Sequence, residues 1–273
     1  MGPSRCRRHG VALVVAVQVM AGASCFLGKS AVPSRSLTPQ RPSPHFAPTR
    51  GRLARSVAER TEAKDPTAAL ALVGAFVGPF VDAIHNQALL SYDVLPVTLN
   101  LGLGFAKTSL LVPPLLALAY ALLGSLLPRL LEAIGGTEAV GRLPLLRPQP
   151  VLRAVLAVAS TCFIIKISEL LVTSDGPSAL LLLSLLALFQ WAALDGRRSS
   201  LTLALLAGLL GPLAELPLIS LGAWHYTQPD YWPLTWLGLG PGTWAALSMV
   251  TGPCYFAVTT DAIALGRLFA GKL

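Results

Sequence analysis

Long apolar runs separated by short polar segments dominate this chain from residue 66 onward. A helix needs about 20 predominantly apolar residues to cross the hydrocarbon core of a bilayer, and several of these runs reach that length. Of all residues, 53% are hydrophobic and only 12% are charged. An ordinary soluble domain does not have this composition, so the sequence predicts an all-α integral membrane protein.

Apolar runs and helix breakers divide the domain 65–273 into six predicted membrane helices. A proline follows Asp65, Gly176 and Gly240, and a proline in the first turn of a helix loses no helical hydrogen bond. The predicted fold class is therefore a six-transmembrane-helix bundle. Its predicted spans are 66–86, 103–127, 150–172, 177–194, 200–223 and 241–263.

The charges at the ends of these spans support the six-helix count. Acidic residues Asp93, Asp175 and Asp230 fall in the opposite loops, and Lys107 alone departs from the segregation. By the positive-inside rule, both ends of the domain face the cytosol or its plastid equivalent. The basic residues of that side are Arg60, Lys64, Arg129, Arg142, Arg147, Arg153, Arg197, Arg198, Arg267 and Lys272.

The amino-terminal extension has the composition of a targeting segment. Residues 1–26 have a basic start, a short apolar core and small residues, which is typical of a signal peptide. Residues 27–64 are basic and rich in Ser and Pro, as in a disordered transit-like segment. The pair predicts a plastid membrane, and an ER signal with a basic tail is the alternative. The net charge of +8 arises in this extension, so no nucleic acid partner is expected.

Four motifs lie in order along the predicted domain. The second span contains Val112-Pro113-Pro114, followed by Gly124 and Pro128, and the double proline is expected to bend or interrupt the helix, which suits a cavity wall. The other motifs are LDGRRSS (194–200), HYTQPDY (225–231) and PCYFAVTTDAIALGR (253–267). All four resemble motifs of the insulin-induced gene (Insig) family, in the same order and over about residues 66–270.

Two segments depart from that family's pattern. The glycine-rich start of its fifth span is Ser-Ser-Leu-Thr-Leu here, and its Ala-Lys-x-Asp pattern is replaced by residues 165–169. The resemblance implies a non-catalytic scaffold that binds a sterol-like or diacylglycerol-like lipid. It also implies partner membrane proteins, which in that family are the sterol-sensing escort protein and HMG-CoA reductase.

Asp195 matches the family's acidic residue at the basic loop, which implies that Asp195, Arg197 and Arg198 bind a partner. The alternative is that Asp195 only caps a helix beside the two arginines. A loop after the fifth span is rich in aromatic residues, which anchor at the membrane interface or form a lid over a lipid pocket. These residues are Trp224, His225, Tyr226, Tyr231, Trp232 and Trp236.

Ionisable side chains within the spans need a partner, a cavity or a function. Lys166 and Glu169 lie three residues apart and are expected to pair on one helix face. Glu215 and Asp261 have no basic neighbour one turn away, so either Lys166 reaches one of them or they are protonated. These four residues, with Pro113 and Pro114, are the predicted lipid-pocket candidates.

The same charged residues support an alternative function as a small proton- or ion-coupled transporter, in which Asp82 and His85 join a relay. An intramembrane enzyme is a third possibility, but the potential acids and bases show none of the familiar catalytic spacings. Cys162 and Cys254 are isolated in apolar segments. We therefore predict no catalytic residue, no metal site and no cofactor.

Small residues indicate where helices approach each other closely. Gly74 and Gly78 form a GxxxG pattern in the first span, and Gly208 and Gly211 thin one face of the fifth. Packing within the chain is the preferred interpretation, and dimerisation is the alternative.

Overall fold

A computed structural model of the chain describes residues 65–84, 86, 88–100, 105–135 and 149–271. The predicted leader 1–26, the transit-like segment 27–64 and His85 lie outside the described residues. Within the described ranges the chain is mostly helical. The helices are α1 (Thr67–Phe76), α2 (Gly78–Asp82), α3 (Val112–Ala121), α4 (Leu127–Gly135), α5 (Pro150–Leu170), α6 (Gly176–Leu194), α7 (Arg198–Ser220) and α8 (Thr251–Phe269).

Four short strands correct the all-α prediction. Strands β2 (Pro96–Asn100) and β3 (Phe105–Ser109) pair antiparallel, with Pro96 opposite Ser109. Strands β1 (Leu90–Tyr92) and β4 (Trp224–Tyr226) also pair antiparallel, and they join two loops that are distant in sequence. Pairing satisfies backbone groups that would otherwise lack partners outside the helices.

In the described part of the chain, four helices are long and apolar enough to cross a membrane: Val112–Leu131, Pro150–Leu170, Gly176–Leu194 and Arg198–Ser220. The predicted third, fourth and fifth spans agree with α5, α6 and α7 within a few residues. The second span begins at Val112, because residues 105–109, which were assigned to it, form β3. The chain is thus an integral membrane protein.

The first and sixth predicted spans differ from the structure, and neither meets the length and composition of a membrane span. Region 66–86 is divided into α1 and α2 at Val77, immediately before Gly78-Pro79. Helix α8 begins at Thr251, ten residues after Pro241, because Gly242 has a φ of 88° and a loop occupies the intervening residues. The predicted count of six spans is therefore not confirmed.

The double proline does not bend α3. Pro113 and Pro114 occupy the first turn of the helix, where a missing N–H costs nothing. The distortion lies farther along, where Leu122–Leu126 forms a π-helical turn between α3 and α4. The helix therefore begins at the prolines and does not bend there, so the predicted span 103–127 is interrupted at this point.

Helix α8 lies at the centre of the bundle, in contact with α1, α5, α6, α7 and the π-helical turn. Most of its residues are buried, including Thr259, Thr260 and Asp261. Because these polar side chains face other helices and not lipid, α8 can be less apolar than the helices around it.

Glycines let the backbones of these helices approach closely. A methyl group on Gly266 of α8 would overlap the Gly124 carbonyl oxygen, and one on Gly78 would lie 2.7 Å from the Leu116 side chain. Gly74 also packs against Leu116, so the GxxxG pattern serves packing within the chain, as predicted.

Candidate functional site

A cleft of about 550 Å³ opens between α6, α7 and the first turns of α8. We call it the α6–α7–α8 groove. Its lining is mainly apolar and includes six leucines, with Ser184, Tyr231 and Ser248 as the residues that carry hydroxyls. It lies towards the ends of α6 and α7 that the charge pattern places on the outer side. The residues lining it are Leu180, Ser184, Ala187, Leu188, Leu205, Gly208, Leu209, Leu210, Pro212, Leu213, Tyr231, Ser248, Met249, Gly252, Pro253 and Phe256.

Small residues on α7 and α8 explain how the floor of this groove forms. A Cβ on Gly208 would lie 3.1 Å from the Gly252 carbonyl oxygen, and one on Gly252 would lie 2.9 Å from the Gly208 oxygen. Pro212 is four residues after Gly208 and has no N–H to donate back to that carbonyl. The two backbones therefore meet at a point where the Gly208 carbonyl lacks its helical partner.

The six predicted lipid-pocket residues lie elsewhere. Pro113 and Pro114 start α3, and Lys166 donates to Glu169 on the same face of α5, as the spacing predicts. Glu215 is buried near the end of α7, and Asp261 is buried about midway along α8. None of the six lines the α6–α7–α8 groove. Their role in binding lipid stays a prediction.

Glu215 is the centre of a buried polar cluster near the end of α7. The Tyr226 hydroxyl donates to its carboxylate at 2.7 Å, the Tyr255 hydroxyl at 2.8 Å and the Trp224 indole N–H at 3.3 Å. Gly211, one turn earlier on α7, lies against the Tyr255 ring, since a Cβ there would be 2.6 Å from it. This glycine lets the tyrosine reach the carboxylate.

A second carboxylate lies close to this cluster. Asp82 accepts hydrogen bonds of 2.5 Å from the Tyr92 hydroxyl and the Asn86 amide. The Tyr92 ring meets the Trp224 ring edge to face, with the centroids 6.0 Å apart. Asp82 and Glu215 are thus linked through two aromatic rings. The predicted relay stays untested, because His85 lies outside the described residues.

The aromatic loop divides into buried and exposed parts. Trp224 and Tyr226 are buried with Glu215, whereas Trp236 is 76% exposed and Tyr231 is 42% exposed. His225 pairs with Asp93 at 2.7 Å on the surface of the β1–β4 sheet. Trp236 is exposed and Tyr231 borders the α6–α7–α8 groove, and both interface anchoring and a lid over a lipid pocket stay predictions for this loop.

Asp195 lies in a buried polar cluster where the α6–α7 turn meets the end of α8. Its carboxylate forms an ion pair with Arg267 of α8 and accepts from the Ser200 hydroxyl, and both charged side chains are buried. The Trp191 indole N–H donates to the Arg197 carbonyl at 3.1 Å. Arg198 is exposed and Arg197 is half-buried. Asp195 therefore joins the α6–α7 turn to the end of α8.

Two carboxylates outside the spans have lowered pKa values. Hydrogen bonds from Thr67, with a further one from Arg129, lower the pKa of Asp65 to about 2. Hydrogen bonds from Ser178 at the start of α6 lower the pKa of Asp175, which caps that helix. Both carboxylates accept a backbone hydrogen bond from the first turn of a helix, α1 for Asp65 and α6 for Asp175.

Several residues of these sites carry no signal in the sequence. Ser184, Ser248 and Met249 reach the groove only through the tertiary fold, and Trp244 is a further exposed aromatic residue of the outer loop. Gln190 of α6 is buried and donates to the Thr161 hydroxyl at 2.9 Å. The sequence could have indicated such a contact, because a polar side chain in a long apolar run needs a partner. Among the described residues, no group of three His, Cys, Asp or Glu is placed to hold a metal ion.

Neither a family model nor a curated protein sequence matches the chain. It does match solved structures of the mycobacterial Insig homologue MvINS from Mycobacterium vanbaalenii, with a TM-score of 0.55 and 22% identity. The match covers 76% of this chain and 96% of that one. A cross-linked cysteine variant of MvINS, solved as a trimer, matches equally well. The chain is thus an integral membrane protein with an Insig-like fold, and the resemblance predicted from its motifs is confirmed at the level of the fold.

Proposed function

We propose that this chain is a non-catalytic membrane scaffold that binds an amphiphilic lipid and holds a partner membrane protein. The α6–α7–α8 groove carries this proposal. A volume of about 550 Å³ lies within the range of small-molecule pockets. The lining is apolar, with hydroxyls at Ser184, Tyr231 and Ser248, so the groove suits a sterol-like or diacylglycerol-like molecule with a small polar head.

The position of the groove provides a route from lipid to partner. A lipid there would contact α6, α7 and α8 together. The same three helices meet again at the polar cluster of Asp195, Arg267 and Ser200. Binding that favours one packing of these helices shifts the populations of the conformations of the α6–α7 turn. In this mechanism Asp195 is a positioning residue, and Arg197 and Arg198 present the surface to the partner.

Topology and location complete the proposal. We assign the first span to α1 with α2 and the sixth to α8, whose 19 residues rise about 28 Å, close to the thickness of the hydrocarbon core. With six spans both ends face the same side, and the arginines of the α6–α7 turn face it too. The composition of the leader favours a plastid membrane, with the ER membrane as the alternative.

Lipid analysis of matched variants tests the groove. The full chain is purified in mild detergent, and co-purifying lipids are measured by mass spectrometry. Ser184→Trp fills the groove, whereas Leu185→Trp adds the same ring at the next residue, which is 56% exposed and does not line it. We expect one near-stoichiometric lipid in the wild type and in Leu185→Trp, and its loss in Ser184→Trp. Equal lipid content in the two variants would contradict the proposal.

The partner surface has a separate test. Arg198→Glu reverses an exposed charge of the α6–α7 turn and is expected to abolish cross-linking to the partner while leaving the bound lipid unchanged. Arg198→Lys keeps the positive charge at the same position and serves as the matched control. Partner capture that survives Arg198→Glu would remove this surface from the mechanism.

A further inference from the structure

The α6–α7–α8 groove contains serine hydroxyls that have no partner within the protein. Ser248, just before α8, is only 5% exposed, and Ser184 lies about midway along α6. Neither hydroxyl forms a hydrogen bond within the described part of the chain. By contrast, Ser160 and Ser168 of α5 donate to carbonyls one turn back, at 2.9 and 2.7 Å. An unpaired hydroxyl is unfavourable in apolar surroundings, so the two groove serines need a partner from a bound molecule.

The floor of the groove adds an acceptor. Pro212 has no N–H to donate to the Gly208 carbonyl, which therefore lacks the usual helical hydrogen bond. Gly252 lies against this carbonyl, since a Cβ there would be 2.9 Å from its oxygen, and both glycines line the groove. A glycine Cα–H is a weaker donor than an N–H. The carbonyl therefore favours a ligand that can donate a hydrogen bond, one turn of chain from the Ser248 hydroxyl.

The charges around the groove favour an uncharged head group. None of the residues that line it is acidic or basic. Asp230 lies at the rim, because it precedes Tyr231 and accepts from the Met249 N–H at 2.7 Å, and both of those residues line the groove. Asp175 caps the same end of α6. A phosphate or carboxylate head would enter beside negative charge, and an ammonium head would have no counter-charge in the lining.

We propose that the groove selects an uncharged lipid by its free hydroxyl group, an inference that rests on the lipid binding proposed above. A hydroxyl can accept from Ser248 and donate to the Gly208 carbonyl, so it suits both kinds of unpaired group. An ester, an ether or a ketone accepts but cannot donate. The ligand is therefore a lipid alcohol, and its acylated, alkylated, phosphorylated or sulfated form binds more weakly.

Competition between lipids that differ only in the head group tests this selection. The full chain is purified in mild detergent and labelled with a photoreactive diacylglycerol, against unlabelled dioleoylglycerol, its acetate ester or dioleoyl phosphatidic acid. A second series uses photoreactive cholesterol against cholesterol, its methyl ether or its sulfate. In the series whose probe labels the groove, we expect the free alcohol to compete at least about tenfold better than the other two lipids.

The outcomes separate this selection from lipid binding itself. Equal competition by the alcohol and its ester or ether, or stronger competition by the phosphate or sulfate, would overturn the selection and leave lipid binding intact. If neither probe labels the segments 180–188 and 205–213, the proposed lipid binding fails, and the selection fails with it.

Variants of the unpaired groups connect the preference to the groove. Ser248→Ala removes a hydroxyl, and Pro212→Ala supplies the N–H that the Gly208 carbonyl lacks. Each should reduce the preference for the free alcohol several-fold while the probe still labels the groove. Ser160→Ala is the matched control, because that hydroxyl donates to the Ala157 carbonyl and lies outside the groove, so the wild-type preference should persist. An unchanged preference in both Ser248→Ala and Pro212→Ala would overturn the proposal.

Discussion

The buried ion pair between Asp195 and Arg267 gives the sharpest stability prediction. The side chains are only 6% and 10% exposed, so removing one partner leaves the other charge buried without its counter-charge. Such a change typically costs about 3–5 kcal/mol. At about 2–4 °C per kcal/mol for a domain of this size, Asp195→Ala and Arg267→Ala should each lower Tm by about 6–20 °C.

A double-mutant cycle provides the decisive readout. Because Asp195→Ala with Arg267→Ala removes both charges, the double variant should be more stable than the sum of the single losses predicts. Thermal unfolding of the detergent-purified chain, followed by tryptophan fluorescence, measures all three variants. Arg197→Ala, in the same turn with its carbonyl retained, should change stability by less than about 0.5 kcal/mol. Additive losses, or Asp195→Ala within about 1 kcal/mol of the wild type, would refute the ion pair as a structural lock.

Three further perturbations have defined outcomes. Gly266→Ala should lower the free energy of unfolding by about 1–3 kcal/mol, because the added methyl group overlaps the Gly124 carbonyl. Gly240→Ala should not, because Gly240 has open space around it. Equal Tm values of the two variants would contradict this packing. Tyr255→Phe should cost about 1–3 kcal/mol by removing a donor from buried Glu215, and an unchanged Tm would show that this hydrogen bond contributes nothing. Because the pKa of Asp65 is lowered in the folded chain, its carboxylate stabilises the fold fully above its ordinary pKa of 3.8, and this contribution is lost as pH falls towards about 2. Thr67→Ala should raise the pKa of Asp65, as an NMR titration would show.

The helices that sequence reasoning placed best are those bounded by unambiguous chemistry. Helix α6 begins at Gly176-Pro177 after the capping residue Asp175 and ends before the arginines of the next turn. Apolar length and polar ends fix such a helix without tertiary information. By contrast, Gly240-Pro241 has the same pattern and begins a loop, because backbone pairing around Tyr231 and Leu247 occupies that segment.

Strand β3 shows the limit of hydropathy alone. Residues 103–109 are apolar enough to extend the second span, yet Lys107 lies among them and is exposed on the hairpin with β2. That lysine was the one departure from the charge pattern, and it lay in the segment assigned wrongly. The local signal was present, but the strand pairing that explains it was not visible.

The sequence indicates which buried charged residues need a partner, but not which residues are their partners. The cost of burying Asp195, Glu215 and Asp261 indicates that each needs compensation. Their partners come from distant helices and loops: Arg267 for the first, and Tyr226 and Tyr255 for the second. The groove likewise depends on how α6, α7 and α8 pack, which the composition of each helix leaves undetermined.

Photo-crosslinking tests the central claim of a lipid-binding groove most directly. The purified full chain is incubated with a photoreactive sterol and, separately, a photoreactive diacylglycerol, and the labelled peptides are mapped by mass spectrometry. We predict that one probe labels the segments 180–188 and 205–213, and that the matching unlabelled lipid and Ser184→Trp both suppress the labelling. Labelling spread evenly over the lipid-facing residues and insensitive to competitor would show that the groove binds no specific lipid.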